Sequence, residues 1–165
     1  MLVLSPHWPR WIHASVLKHF STIVNVDICK PATNFFAEGF ERDTVGLRDW
    51  IECRVDGPYI NEITHGSWMI DVEVNLLICV ATDQNVGAYR PQELTGLGAS
   101  FFIPCIHVMK YGDCCDDNPA EELGCLHLKP KSDREKLAIN NFGKVRVDTR
   151  FTQSSVEGHY TMNLD

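Results

Sequence analysis

The chain has 165 residues, 44% of them hydrophobic and 22% charged, with 15 Lys and Arg against 22 Asp and Glu for a net charge of -7. This is globular composition: it excludes a disordered or low-complexity chain, and at this length a core can form without metal or disulfide. The acidic balance argues against a general phosphate-binding surface, so no specific nucleic-acid binding is expected.

The longest apolar run, residues 76–81, falls well short of the ~20 residues a membrane-spanning helix needs. The N-terminus has no basic segment, and its apolar stretch is too short for a secretion signal. These features predict a protein folded in a cytoplasm, with no membrane partner.

Ser5-Pro6-His7-Trp8-Pro9 reads as a helix start, with Ser5 as cap and proline in the first turn. From there Trp8, Trp11, Ile12, Val16, Phe20, Ile23 and Val24 recur at three- and four-residue spacing, which predicts an amphipathic helix of about 18 residues. After the Lys30-Pro31 break, residues 35–42 read as a strand and residues 43–46 as a loop. Ile51, Cys53 and Val55 alternate with Glu52, Arg54 and Asp56 as in a half-buried strand, which Asp56-Gly57-Pro58 should break.

The clearest element is Trp68 to Val80. Trp68, Ile70, Val72, Val74, Leu76, Ile78 and Val80 share one face, and Met69, Asp71, Glu73, Asn75, Leu77 and Cys79 the other. A period of two held this long predicts an antiparallel strand with one face in the core. Residues 83–87 read as a loop. A second helix starts at Pro91 and ends at Pro104, with Leu94, Leu97 and Phe101 on one stripe and Phe102 beside it. Gly96 and Gly98 inside it make sense if the helix packs very close to a neighbour.

Cys105 to Tyr111 reads as a short strand. Residues 112–143 show no sustained period and read as a long irregular insertion or arm within a single domain of residues 1–165, with a short helix near residues 134–139. Val145 and Val147 begin strand pattern again, and Val156, Tyr160, Met162 and Leu164 continue it in another phase. The switch near residues 152–155 predicts a bulge or turn. The expected fold is α+β: a mostly antiparallel sheet with two main helices packed on one face.

The seven cysteines are Cys29, Cys53, Cys79, Cys105, Cys114, Cys115 and Cys125. Without a secretion signal, reduced thiols are the first expectation. Cys105-Ile106-His107 and Cys125-Leu126-His127 are two Cys-x-His pairs, each able to offer one sulfur and one nitrogen from one strand face. Their spacing is not that of a recognised zinc motif and both adjoin apolar segments, so ordinary core thiols and satisfied histidines are preferred and no tightly bound zinc is expected. No Gly-x-Ser-x-Gly elbow, phosphate loop or dinucleotide fingerprint occurs, and Asp116-Asp117-Asn118 lacks the glycine and glutamate of a known calcium loop. No catalytic residue and no cofactor are predicted.

The sequence of an N-terminal helix, a Phe35-Phe36 strand, a long alternating strand opening on Ser67-Trp68, a second helix and a closing segment Ser154-Ser155-Val156-Glu157-Gly158-His159-Tyr160-Thr161-Met162 resembles the lambda-type tail terminator proteins of long-tailed bacteriophages. The likeness covers about residues 6–25, 35–80, 91–111 and 154–164, and is one of pattern more than identity. It implies a virion protein, not an enzyme: an α+β subunit of a hexameric homo-oligomeric ring. Such a ring caps the tail tube protein, faces the neck or connector protein and, in contractile phages, touches the sheath protein. Residues 112–143 depart from a small terminator, which leaves another neck ring subunit as the alternative. A small cytosolic zinc-binding module built on the Cys-x-His pairs, and a cysteine-dependent enzyme, are readings of different classes.

A ring needs heterologous contacts that close by rotation. The candidate contact residues are Asp71, Glu73 and Asn75 on the polar face of the long strand, and Asp113, Asp116, Asp117, Glu121 and Glu122 in the acidic stretch. A virion passes from a reducing cytoplasm to an oxidising medium, so disulfides can form after assembly. Cys53, in the apolar phase, should stay a buried thiol. Cys114 and Cys115 are the candidates for an interchain disulfide, because a bond between neighbours is strained.

Overall fold

The computed structural model describes residues 5–29, 33–38, 46–81, 89–112, 119–130, 132, 135–144 and 151–164. Its elements are α1 (Trp8–Ser21), two 3₁₀ turns (Thr22–Asn25 and Asp27–Cys29), β1 (Thr33–Ala37), β2 (Asp49–Thr64), β3 (Ser67–Ala81), α2 (Arg90–Ser100), β4 (Cys105–Tyr111), β5 (Pro119–Lys129), β6 (Ala138–Lys144) and β7 (Phe151–Leu164). All seven strands belong to one sheet in the order β1-β2-β3-β7-β5-β4, with β6 also beside β7. Only β1 and β2 run parallel. The fold is α+β, as the alternation and helix periods predict.

β3 lies between β2 and β7 and pairs along its length with both. Ile70, Val72, Val74, Leu76, Ile78 and Val80 are all at most 2% exposed, while Trp68 at the start of the strand is half-buried. Val55 and Gly158 flank Val74, and Ile51 and Ser154 flank Ile78, so the apolar face continues onto both neighbours. Tyr160 and Val156 extend it on β7, and both are fully buried.

Both helices cover this face. Trp8, Trp11, Ile12, Val16 and Phe20 of α1 join one core cluster with Leu94 of α2 and the apolar residues of β3, β4 and β7. Polar contacts fix α1 in place: the Trp11 indole N–H donates to the Tyr111 carbonyl at 3.0 Å, and the Met109 N–H donates to Ser15 Oγ at 2.9 Å. His13 Nε2 donates to the Gly57 carbonyl at 2.8 Å, and His19 Nε2 to that of Phe101 at 2.8 Å. The α-helix stops at Ser21, earlier than its apolar stripe predicts; Ile23 is still fully buried, but from a 3₁₀ turn. Ser5 is not the cap: His7 occupies that position, and Ser5 Oγ accepts from the His7 N–H at 3.3 Å in the preceding turn.

Of the two α2 glycines, only Gly98 serves close packing. A Cβ there would lie 3.2 Å from Ile78 Cδ1, whereas Gly96 has nothing within 4 Å. Thr95 Oγ1 and Ser154 Oγ, 2.6 Å apart in the interior, add a polar contact between α2 and β7. The first turn of α2 is held by a buried ion pair. Arg90 Nε lies 2.9 Å from Asp49 Oδ2, with exposures of 6% and 0%. Its other nitrogens donate to Thr33 Oγ1 at 3.0 Å and to the Ile28 carbonyl, while Arg48 Nε reaches the same carboxylate oxygen at 3.2 Å. One guanidinium therefore joins α2, the second 3₁₀ turn, β1 and β2.

Several sequence expectations are corrected. Asp56-Gly57-Pro58 does not end β2: the pairing with β3 shifts between Asp56 and Tyr59 and resumes to Thr64. Gly57 permits this with φ 105°, where a Cβ would also meet the Asp71 carbonyl oxygen at 3.0 Å. β1 runs from Thr33 to Ala37, beginning two residues before the predicted strand over 35–42, with Glu38 already in a turn; residues 39–42 lie outside the described residues. Within the stretch 112–143, read as an irregular arm, the described residues include β5 and most of β6, while residues 113–118, 131, 133 and 134 lie outside the described residues; Ala138 and Ile139, assigned to a short helix, are strand. Cross-strand partners supply the order that no local period announces. The pairing of β7 with β3 runs unbroken from Phe151 to Leu164, so the apparent phase switch is no bulge. Ser154, Ser155 and Val156 are buried in succession where β7 is flanked by β3 and β6, and the register shift falls on β6, between Asn141 and Gly143. Val145, Val147 and the predicted loop at 83–87 lie outside the described residues.

Two substitutions test this architecture. Val74→Asp places a charge in a site 1% exposed and should abolish cooperative folding, read by circular dichroism and thermal melting. Arg90→Ala leaves the buried Asp49 carboxylate only the more exposed Arg48 as a partner and should cost about 3 kcal/mol in denaturant unfolding.

Candidate functional site

The face of the sheet turned away from the helices carries the polar residues. Asp71, Glu73 and Asn75 lie there as predicted, opposite Thr161, His159 and Glu157 of β7. His159 Nε2 is 3.2 Å from Asp71 Oδ1 and its Nδ1 3.8 Å from Glu73 Oε1; Asn75 Nδ2 donates to Glu157 Oε1 at 3.1 Å. Arg54 pairs with Asp56 at 2.8 Å and Glu38 at 3.2 Å. An open groove of about 490 Å³ runs over these residues, with Lys129 and Lys136 on its far wall. Charges of both signs alternate across it, so it is no anion- or cation-specific cleft. Toward the start of β2 the face becomes apolar, where Trp50 meets Phe151 edge-on at 4.7 Å between ring centres.

The acidic stretch divides. Glu121 and Glu122 are on β5 and pair across to β4, Glu121 with Lys110 Nζ at 3.5 Å and Glu122 with His107 Nδ1 at 2.7 Å. Asp113, Cys114, Cys115, Asp116 and Asp117 lie outside the described residues.

An exposed hairpin tip was not anticipated, and the two Cys-x-His pairs, for which ordinary core thiols and satisfied histidines were the preferred reading, come together on the surface. The tip of the β2–β3 hairpin stands clear of the core: residues 61–65 are all exposed, and Tyr59 and Ile63 are 54% and 55% exposed. On β4 and β5 the antiparallel register sets Cys105 opposite His127 and His107 opposite Cys125. Their neighbours Ile106 and Leu126 are buried on the helix side, so all four project from the outer face. These are neither core thiols nor core histidines: the cysteines are half-buried and the histidines exposed. Cys105 and Cys125 form a disulfide, with Cα atoms 5.9 Å apart, which corrects the expectation of reduced thiols for this pair. The repeated Cys-x-His spelling was the available signal; the register that turns it into a cluster lies between strands.

Cys29, Cys53 and Cys79 are buried thiols, as predicted for Cys53. Burial, with the Glu38 charge adding to it, pushes the Cys53 thiol up to about 12, and burial also raises Cys29 and the Tyr160 hydroxyl. No helix among the described residues is long and apolar enough to cross a membrane. Neither a scan of protein-family models nor a search of curated proteins returns a match to this chain.

Cys53 should resist alkylation near neutral pH in the native protein and react only after denaturation, as read by mass spectrometry of labelled peptides. Its folded-state pKa lies above the unfolded 9.0, so its contribution to stability is complete below pH 9.0 and is lost as pH rises toward about 12.

Proposed function

We propose that the protein is a structural ring subunit of a long-tailed bacteriophage, of the tail terminator kind, whose work is done by its interfaces. A neck ring subunit of similar build is the nearest alternative. The β2–β3 hairpin carries this reading. β7 backs β3 as far as Trp68, so only the turn over residues 63–67 is two-stranded; such a ribbon is marginal in water by itself, and it leaves the sheet with Ile63 exposed on it and Tyr59 exposed on β2 beside it. In a ring, such a projection rests on the next subunit, and one contact repeated by rotation closes the assembly. The groove face with Asp71, Glu73 and Asn75 offers a mixed-charge surface for that contact, or for the tail tube and connector proteins. The pattern resemblance of β3 and β7 to tail terminators supports the same assignment.

Light scattering coupled to gel filtration tests it. The wild-type chain should elute at about six times its 18.7 kDa mass, alone or when added to purified tail tubes. The double variant Tyr59→Glu, Ile63→Glu should run as a monomer with its melting transition intact, because neither residue is in the core. A wild-type monomer under both conditions, or a ring unchanged by the double substitution, would overturn the reading.

A further inference from the structure

The β4–β5 cluster has the composition and placement of a metal site. Ligand atoms of Cys105, His107 and Cys125 all lie within 4.8 Å of one another. In a tetrahedral zinc site, with Zn–S near 2.3 Å and Zn–N near 2.0 Å, ligand atoms stand roughly 3.3–3.8 Å apart; once the disulfide opens, side-chain rotation that parts the two sulfurs and draws the His107 ring toward them reaches that spacing with the Cα atoms 5.9 Å apart as they are. His127 stands opposite Cys105 in register on the same outer face, outside the three-residue grouping, and its ring would have to turn toward the sulfurs to supply a fourth ligand. A second observation concerns orientation. A metal-bound histidine ordinarily gives its other ring N–H to a carboxylate, which fixes the ring. His107 Nδ1 already meets Glu122 Oε1 at 2.7 Å, leaving Nε2 for an ion.

We propose that, with the disulfide reduced, this ladder binds one Zn²⁺ through Cys105, Cys125, His107 and His127, so that the disulfide and the ion are alternative ways of closing the same site. Opening the disulfide takes two electrons and two protons from a dithiol reductant, which leaves as its own disulfide. The two thiols then release their protons to water, and two thiolates with two neutral imidazoles give a Zn²⁺ site of zero net charge. In reverse, a disulfide oxidant accepts the two electrons, Cys105 and Cys125 bond to each other, and the zinc is released. The ladder thus stays tied together in both reducing and oxidising surroundings. This inference rests on the cluster alone and does not depend on ring assembly.

The test is metal uptake by the full chain in its two redox states. Reduced protein should take up one equivalent of Zn²⁺ in competition with a chromophoric chelator. With Co²⁺ as probe it should show the thiolate charge-transfer band and the intense visible bands of tetrahedral coordination. Oxidised wild-type protein should do neither. Cys125→Ser, compared with reduced wild type so that both lack the disulfide, should lose the charge-transfer intensity of one thiolate. Glu122→Gln should weaken zinc binding about tenfold to a hundredfold while keeping the Co²⁺ spectrum. The proposal is overturned if reduced protein binds less than one equivalent, or if uptake is equal in oxidised and reduced wild type. The wild-type comparison stands even if a variant fails to fold.

Discussion

The period-two alternation of β3 is the constraint from which the rest of the molecule follows. Six consecutive in-phase positions, Ile70 to Val80, are removed from water, and a strand that turns one apolar face inward must present every intervening residue to the other side. At roughly 1.5–3 kcal/mol for each buried aliphatic side chain, a one-residue slip would forfeit an amount comparable to the whole net stability of a domain. α1 and α2 therefore share one face, and Asp71, Glu73 and Asn75 are held together on the other. The same alternation passes through β7 into β5 and β4, where it places Cys105, His107, Cys125 and His127 outward.

Apolar burial sets which face is covered but not where each helix stops. Specific polar contacts do that. Arg90 and Asp49 form a pair that is worth little relative to apolar residues of equal shape, yet costly to break from one side. Its geometry orients the start of α2 against β1 and β2. The Trp11–Tyr111 and Ser15–Met109 hydrogen bonds do the same for α1 against β4. The β4–β5 disulfide then ties the sheet's far end across the ladder, at the place where β5 meets β7 over only three residue pairs.

The two surfaces of functional interest differ in kind. The β2–β3 hairpin and the mixed-charge groove are suited to contact with other protein surfaces, because neither encloses a volume or concentrates one sign of charge. The thiol–imidazole cluster is local chemistry on a rigid strand pair. Its side chains are brought together by register, on the face away from the helices.

The sequence by itself determined the identity and inward face of β3, the existence of both helices, the burial of Cys53 and the outward placement of Asp71, Glu73 and Asn75. Each is a local period read over a stretch long enough to distinguish 3.6 from 2. Tertiary structure alone decided the rest. Residues 119–129 and 138–144 are strands because β4 and β7 supply hydrogen-bond partners, and the chain between them has no period to announce it. Asp56-Gly57-Pro58 spells a break, but the backbone of β3 carries β2 through it as a bulge. Arg90 and Asp49 are 41 positions apart, and nothing in either neighbourhood marks them as a pair. Cys105 and Cys125 show the division most plainly. Their Cys-x-His spelling is legible, but whether it gives two isolated pairs or one four-residue cluster depends on strand register, a relation between segments that no single stretch of chain contains.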